Sequence, residues 1–228
     1  CDYAQQEYRL IGRITGEQKI IDAYKDGKDL HTLTASIVNN VNLSYVTKDQ
    51  RTDAKPVNFG VFYGSTAYGL AYNLGIPLEE ADRIYSALMD GIPTFRAVRD
   101  AIQEKVLEKY YSVTLLGRRR YFSKKTLFDN NSERYKYINR IKREGFNHVV
   151  QGTGADITKL AMIKIFYENP FADALLILLA EHDEVVCLVK DEYVEEAFTF
   201  IKNKMIEAEQ PFLEEIPAVV DGIISDCW

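Results

Sequence analysis

The stretch LLILLAEHDEVVCLV, residues 175–189, contains two apolar runs separated by four ionisable residues. Each run has the length of a strand and is partly β-branched, and the residues between the runs suit a tight turn. The pattern predicts an antiparallel hairpin with His182, Asp183 and Glu184 at its tip. A tight turn does not require carboxylates, so the tip is either a solvated turn or a metal-binding site, and three residues alone do not decide between them.

On either side of this hairpin the apolar spacing is mostly helical. Downstream, residues 191–209 form an acidic amphipathic pattern, and residues 218–224 suit a last strand. Upstream, a short hairpin is predicted at 112–122, and helices are predicted at about 8–14, 20–24, 30–38, 52–63, 95–110 and 132–167. The fold class is therefore α+β, with a helical body inserted into, or laid beside, a small antiparallel sheet.

Composition limits the class of protein. The chain has 228 residues, of which 46% are hydrophobic, enough for one large or two small domains. The longest apolar run, 174–180, is far shorter than the roughly 20 residues that cross a bilayer, so we expect no membrane partner. The three cysteines have no CxxC spacing, which favours a reducing, cytoplasmic location, or the host cytoplasm for a viral source.

The net charge of −6 hides a strong segregation of charge along the chain. Residues 118–164 hold 12 basic and 4 acidic side chains, whereas residues 181–228 hold 3 basic and 13 acidic ones. Such segregation suits a protein in which one surface binds a polyanion and another concentrates carboxylates for cations. Chance clustering on a solvated face would give the same counts.

A third pattern lies in the helix predicted at about 52–63 and just before it. Arg51, Lys55, Phe59 and Tyr63 recur every four residues and span roughly 18 Å along one side of a helix. Two cations followed by two aromatic rings suit a nucleoside triphosphate, whose phosphates need positive charge and whose base stacks. The alternative is a core face bordered by two cations that reach solvent.

The N-terminal stretch DYAQQEYR, residues 2–9, carries an aspartate that would simply cap the following helix if it stood alone. Together with RTDAKPVNFGVFYG at 51–64 and HDE at 182–184, however, it resembles motifs A, B and C of the family A DNA polymerases, the bacterial DNA polymerase I type. LGRRRY at 116–121 and NHVVQGT at 147–153 resemble further blocks of that family. The resemblance covers essentially the whole chain in the family's order.

The resemblance implies a polymerase palm with inserted, mostly helical fingers. Residues 1–12 and 145–228 would form the palm, and residues 13–144 the fingers. Family members carry a thumb and the first palm strands ahead of motif A, whereas this chain opens one residue before Asp2. We therefore expect a fragment, or one part of a split polymerase, that needs an upstream polymerase fragment as a partner.

The implied activity is template-directed 5′→3′ DNA synthesis, in which a dNTP is joined to a primer 3′-hydroxyl. By the resemblance, Asp2 and Asp183 hold two Mg²⁺ ions, for which Mn²⁺ can substitute, and Glu184 is an auxiliary carboxylate. Lys55 would also donate a proton to the leaving pyrophosphate. The alternative is a non-catalytic nucleic-acid-binding remnant of a polymerase, and the sequence does not distinguish a DNA template from an RNA template.

The resemblance also assigns contacts with the incoming nucleotide. Arg51 and Lys55 would bind the triphosphate, Phe59 would pack on the sugar and base, and Tyr63 would hold the template slot. Gln5 and Glu7 belong to the same site, and Glu7 occupies the family's sugar-gate position. A side chain there clashes with a ribose 2′-hydroxyl, which implies a preference for deoxynucleotides.

The remaining implied contacts are with primer–template DNA. Arg143, Asn147 and Gln151 match minor-groove positions, where acceptors present in every base pair report shape rather than sequence. His182 would position the primer end. The template backbone would be contacted by Arg118, Arg119, Arg120, Lys124 and Lys125.

Some residues depart from the family's pattern, namely Ala4, Gln6 and the pair His148-Val149. Pro56 has the clearest structural consequence, because an interior helical proline costs about 3 kcal/mol and is tolerated in the first turn. If Asp53 is the N-cap, Pro56 falls at the third helical position. Arg51 would then lie just outside the helix, which weakens its assignment to the triphosphate relative to Lys55.

Overall fold

The computed structural model of the chain describes residues 1–124, 128 and 130–226. Lys125, one of the expected template contacts, lies outside these residues. The helices are α1 (Gln6–Thr15), α2 (Gln18–Lys25), α3 (Leu30–Asn39), α4 (Lys48–Phe62), α5 (Ala67–Leu74), α6 (Leu78–Gly91), α7 (Pro93–Lys109), α8 (Asn131–Tyr167) and α9 (Val194–Leu213). The strands are β1 (Asp2–Tyr3), β2 (Tyr111–Val113), β3 (Arg119–Tyr121), β4 (Leu175–Glu181), β5 (Glu184–Val189) and β6 (Val220–Asp221).

The main sheet is antiparallel and has the strand order β4-β5-β1-β6. The predicted hairpin is confirmed: β4 and β5 are joined by His182 and Asp183, and His182 adopts a left-handed φ of 53°. The first strand of the chain lies between β5 and the last strand, with Asp2 opposite Glu184 on one side and Asp221 on the other. This pairing brings the two ends of the sequence to the hairpin tip.

The second hairpin, also as predicted, pairs β2 with β3. It is fixed to the long helix α8, because the Thr114 hydroxyl donates to Asp156 at 2.8 Å and the Leu115 N–H donates to the Thr153 hydroxyl at 3.0 Å. The basic residues 118–120 are therefore held beside α8.

The core joins the helical body to the sheet. Phe62, Phe95 and Phe146 pack edge to face in series, with ring centroids 4.7 Å and 6.0 Å apart, and so connect α4 with α7 and α8. Tyr3 is almost fully buried, and its hydroxyl donates to the Met205 carbonyl at 2.9 Å. Strand β1 is thereby anchored to α9, which fixes the position of the neighbouring Asp2.

The predicted start of α4 is wrong. The helix begins at Lys48, because Thr47 and Gln50 form a capping box in which each side chain accepts a hydrogen bond from the other's backbone N–H. Asp53 is therefore not the N-cap, Arg51 lies inside the helix, and Pro56 lies in its middle. Pro56 and Thr52, whose carbonyl loses its helical partner, are both exposed. The buried side of α4, including Val57 and Phe62, holds the helix in place.

Two elements near the C-terminus also differ from prediction. The acidic segment begins with a 3₁₀ turn, Asp191–Tyr193, and α9 continues to Leu213 instead of ending at Glu209. The last strand spans only Val220–Asp221, because its partner β1 has two residues and offers no longer ladder.

Within the residues that the structure describes, no helix combines the length and the apolar character needed to cross a bilayer.

Candidate active site

A cluster of three carboxylates lies where β1 meets the hairpin. Asp2 is opposite Glu184, and the Tyr3 N–H donates to the Asp183 carbonyl at 3.4 Å. The pKa of Asp2 is raised to about 6, first by burial and then by the charge of Asp183, a side-chain hydrogen bond with it, and the charge of Glu184; the N-terminal amine opposes this rise. The three carboxylates therefore repel one another, and a bound proton or cation would reduce this repulsion.

The donor set suits a hard cation. Among the described residues, no group of three or more His, Cys, Asp or Glu side chains is arranged to hold a metal ion. Mg²⁺ nevertheless commonly takes one or two carboxylates from the protein and completes its shell with water and substrate phosphates. Asp2 and Asp183 supply donors of this kind and number.

An open cavity of about 790 Å³ lies beside Asp2. The residues that line it include Asp2 and Gln5, from the start of the chain, together with Asp29 and with Arg51 of α4. Positive charge comes from Arg51 and from three further lining residues, Arg9, Lys25 and Lys28. A polyanion in this cavity would contact these cations and lie close to Asp2.

The cation–aromatic stripe of α4 lies on the surface. Lys55 and Phe59 are exposed, Phe59 by 71%, while Val61 on the other side of the helix is buried. The rings of Phe59 and Tyr63 lie 5.4 Å apart. The alternative that this stripe is a core face is therefore wrong.

Residues from two of the quoted motifs meet an expected DNA contact at the end of α4. The ring centroid of Tyr63 lies 6.3 Å from that of Tyr8 in α1. The next residue, Gly64, has a φ of 91°, and a Cβ at that position would lie 3.0 Å from Cγ of Arg143. Arg143, an expected DNA contact on α8, thus packs against the turn that follows Tyr63.

Glu7, the expected sugar gate, lies next to the hairpin tip. Gln151 donates to Glu7 Oε2 at 3.4 Å. The pKa of Glu7 is raised by burial first, lowered by the Gln151 hydrogen bond, raised by the charge of Asp183 and lowered by His182, with a net rise. Asn147 lies one turn before Gln151 on α8 and is half-buried. The fold therefore brings these expected nucleotide and DNA contacts to one place.

The arginines of the second hairpin are held by internal contacts. Arg118 donates to Asp156 at 2.6 Å and to the Gly152 carbonyl at 2.8 Å, and Arg120 donates to Glu144 at 2.7 Å. Cation–π contacts place Arg119 5.0 Å from the Tyr111 ring centroid and Lys124 5.6 Å from that of Tyr110. Contact with the template backbone stays a prediction.

The sequence reasoning missed Asp29 and His31. Asp29 caps α3 and binds Arg51, and an Asp directly before a predicted helix is a recognisable capping signal. His31 is buried, and its Nδ1 lies 2.8 Å from Nδ2 of Asn58. Burial first, and then the charges of Arg51 and Lys55, lower its pKa against the opposing charge of Asp29. No local pattern indicates the His31–Asn58 contact.

The fold and site together define an α+β protein in which Asp2 of the sheet and Arg51 of α4 line one open cavity, with Asp183 beside Asp2. The chain belongs to the family described as DNA polymerase family A, whose model matches residues 1–228. This match confirms the family resemblance.

Individual relatives agree with this assignment. The chain is 34% identical over 228 residues to the thermostable DNA polymerase I of Thermus filiformis and spans 26% of that protein. It is also 34% identical over 238 residues to DNA polymerase I of Aquifex aeolicus (strain VF5) and spans 38% of it. All of this chain is covered in both comparisons.

A solved structure shares the fold. It is described as the POL domain of Pol1 from M. smegmatis in complex with DNA primer-template and dNTP. The match has a TM-score of 0.81 and 31% sequence identity, and it covers 91% of this chain and 36% of that chain. This likeness confirms the predicted α+β fold of fingers and palm.

Proposed function

We propose that this chain carries the nucleotidyl-transfer site of a template-directed DNA polymerase that joins dNTPs to a primer 3′-hydroxyl in the 5′→3′ direction. The observation that carries the proposal is the Asp2–Asp183 pair, whose Asp2 lines the same cavity as Arg51. Family membership and the likeness to a polymerase structure with DNA and dNTP support it. A binding module would need the basic surfaces but not this costly carboxylate pair.

Asp2 and Asp183 would hold Mg²⁺, or Mn²⁺ in its place, as two ions shared with the substrate phosphates. Bound there, the ions would favour deprotonation of the primer 3′-hydroxyl and stabilise negative charge on the attacking and leaving oxygens. Glu184 would add negative charge beside the pair. The raised pKa of Asp2 fits this role, because burial and the neighbouring carboxylates disfavour its ionised form and a cation would stabilise that form.

The incoming nucleotide would lie between the carboxylates and α4. Arg51 and Lys55 would neutralise the triphosphate, and Lys55 would donate a proton to the leaving pyrophosphate. Phe59 offers an exposed ring for the sugar and base, and Tyr63 would hold the adjacent template slot. Gln5 lines the same cavity.

Glu7 would select deoxynucleotides. Its hydrogen bond from Gln151 restrains the carboxylate beside the hairpin tip, where a ribose 2′-hydroxyl would meet it. Restraint is necessary, since a freely rotating side chain would yield to the hydroxyl and would not discriminate against it.

Primer–template DNA would lie along α8 and the second hairpin. Arg143, Asn147 and Gln151 would contact the minor groove, and His182 would position the primer end. The exposed parts of Arg118, Arg119, Arg120 and Lys124 would neutralise the template backbone.

An upstream polymerase portion would complete the enzyme. This chain spans about a quarter of the length of the Thermus filiformis relative. The hairpin also exposes Leu176, Leu178 and Leu188 by 48%, 57% and 56%, an apolar strip that a further portion could cover.

Single-nucleotide incorporation tests the proposal. The chain is assayed with Mg²⁺ and a primer–template, alone and with an upstream polymerase portion, using the complementary dNTP and a mismatched dNTP as control. We expect template-dependent incorporation that requires Mg²⁺ and the upstream portion. Primer–template binding without incorporation in either sample would support the non-catalytic remnant, and full activity of the chain alone would contradict the need for the upstream portion.

A further inference from the structure

We propose that Asp29 is a positioning residue of the nucleotide site, which orients the Arg51 guanidinium towards the triphosphate and ties it to the start of the chain. This inference rests on the proposed function, since it takes Arg51 as a triphosphate contact. Asp29 itself would touch no substrate.

The contacts of Asp29 fix the orientation of Arg51. Arg51 Nε donates to Asp29 Oδ2 at 3.1 Å, and Nη2 donates to the same oxygen. The planar guanidinium fork is thus held along one edge. Nη1 makes no hydrogen bond to another described residue, so its donors remain available to a ligand.

The carboxylate is itself rigidly held. Asp29 is the N-cap of α3, where Oδ1 accepts from the Thr32 N–H at 2.9 Å and from the Thr32 hydroxyl at 2.7 Å. Its side chain is only 17% exposed, compared with 37% for Arg51. An anchor fixed by a helix end can impose its geometry on a longer and more flexible partner.

Asp29 also reaches the other wall of the cavity. Gln5 Nε2 donates to Asp29 Oδ2 at 3.1 Å, and Gln5 Oε1 accepts from the Tyr24 hydroxyl at 2.8 Å. The Arg9 guanidinium lies over the Tyr24 ring, 4.5 Å from its centroid. One carboxylate therefore connects the turn that follows Asp2 with helix α4.

The charge of Asp29 persists through the working pH range. Burial alone would raise the pKa of Asp29, but hydrogen bonds from Arg51, Thr32 and Gln5 hold it well below its usual range. A permanent negative charge beside a triphosphate site weakens anion binding by repulsion. Its presence there requires a compensating benefit. Preorganisation of Arg51 supplies that benefit, because an arginine already in place loses less side-chain freedom on binding.

The test compares dNTP affinity in two variants. Asp29→Asn removes the charge and one acceptor, and Asp29→Ser keeps a capping oxygen for Thr32 but cannot reach Arg51. Equilibrium titration of the Mg²⁺–dNTP complex is expected to show about tenfold weaker binding for both. Asp26→Asn, an exposed neighbour, is the matched control and should bind as the unmodified chain does.

A double-mutant cycle separates positioning from a general structural effect. In an Arg51→Lys background the bidentate partner is gone, so Asp29→Asn should weaken binding by less than about twofold. Equal weakening in both backgrounds, or unchanged or tighter binding by the single variants, would overturn the inference. Failure of the proposed function looks different, because the unmodified chain would then show no dNTP binding that depends on Arg51.

Discussion

The carboxylate cluster and the stripe of α4 are built in opposite ways. Asp2 and Asp183 are far apart in sequence and meet because β1 pairs with β5. Arg51, Lys55, Phe59 and Tyr63 lie within a single stretch, and the helical period alone places them on one side. The first site depends on tertiary structure, and the second depends on one helix.

This difference also determines how each site is stabilised. The carboxylates repel one another, so the strands that carry them are held from behind by Tyr3 and α9. The cations of α4 need no such support from the sheet, although Arg51 is held by Asp29. Substitutions in the first site should therefore affect chemistry without weakening the fold, whereas those in the second should affect nucleotide binding.

The largest expected effect is that of Asp2→Asn. The change removes one ligand of the proposed ions and should lower single-nucleotide incorporation by about 10³-fold or more. Because it also relieves carboxylate repulsion, the thermal unfolding midpoint should not fall. Asp22→Asn, an exposed change on α2, is the control, and loss of activity accompanied by equal loss of stability would argue for a structural role.

Lys55→Ala should have a smaller effect, about 10²-fold on incorporation. The lysine is exposed, so the fold should be unaffected, and primer–template affinity should stay the same because the side chain is assigned to the triphosphate. Lys48→Ala at the start of the same helix is the matched control. If both variants behave alike, α4 contributes only general positive charge.

Glu209 tests the support behind the carboxylate site. Its side chain is fully buried, and neither oxygen accepts a well-formed hydrogen bond from the described residues. Burial raises its pKa to about 8, against the lowering effects of Arg9 and of the nearby Gln6 amide. The folded state then binds the proton more tightly than the unfolded state. The free energy of unfolding should therefore fall as pH rises from about 5 to 8, by up to about 1.4 kcal/mol per pH unit.

Asp2, whose pKa is raised to about 6, adds to the slope at the acid end of this range. Between pH 6.5 and 7.5, Glu209→Gln should therefore remove most of the slope, and Glu196→Gln on the exposed side of α9 should keep it. Urea unfolding at pH 5.5, 6.5 and 7.5 measures both. A full slope between pH 6.5 and 7.5 in Glu209→Gln would show that another group titrates.

The smallest expected effect is that of Thr47→Ala, which removes half of the capping box of α4. The free energy of unfolding should fall by about 1 kcal/mol, and incorporation should change little, because the buried side of α4 still positions the stripe. A large loss of activity would mean that the helix start, and not its packing, places Arg51 and Lys55.

Local signals in the sequence predict much of the fold. The β4–β5 hairpin and helices α1, α2, α3 and α8 follow from apolar periodicity and from glycines such as Gly16 and Gly27. The start of α4 is also predictable, since Thr47 and Gln50 have capping-box spacing. The rule that proline is tolerated in the first turn of a helix favours a later start, and the start that it favours is wrong here. The short length of β6 cannot be predicted from its own sequence, because it depends on the length of the partner strand β1.

The site was less predictable than the fold. The surface position of the α4 stripe is a property of one helix, whereas the Asp2–Asp183 pair was expected only through the family resemblance. The contact of Asp29 with Arg51 joins residues 22 positions apart on different helices. The apolar periodicity of the sequence cannot predict a contact between residues so far apart, because the contact forms only in the folded chain.

The proposed function requires the Asp2–Asp183 carboxylates for nucleotide incorporation, whereas the basic surfaces alone would support only DNA binding. The most direct measurement is Mg²⁺-dependent incorporation of one complementary dNTP by Asp183→Asn, with primer–template affinity determined in the same samples, the upstream portion present and Asp173→Asn as control. We predict an incorporation rate at least about 10³-fold lower with DNA affinity within about twofold of the unmodified protein. Incorporation that survives Asp183→Asn, at the rate of the control, would contradict the account.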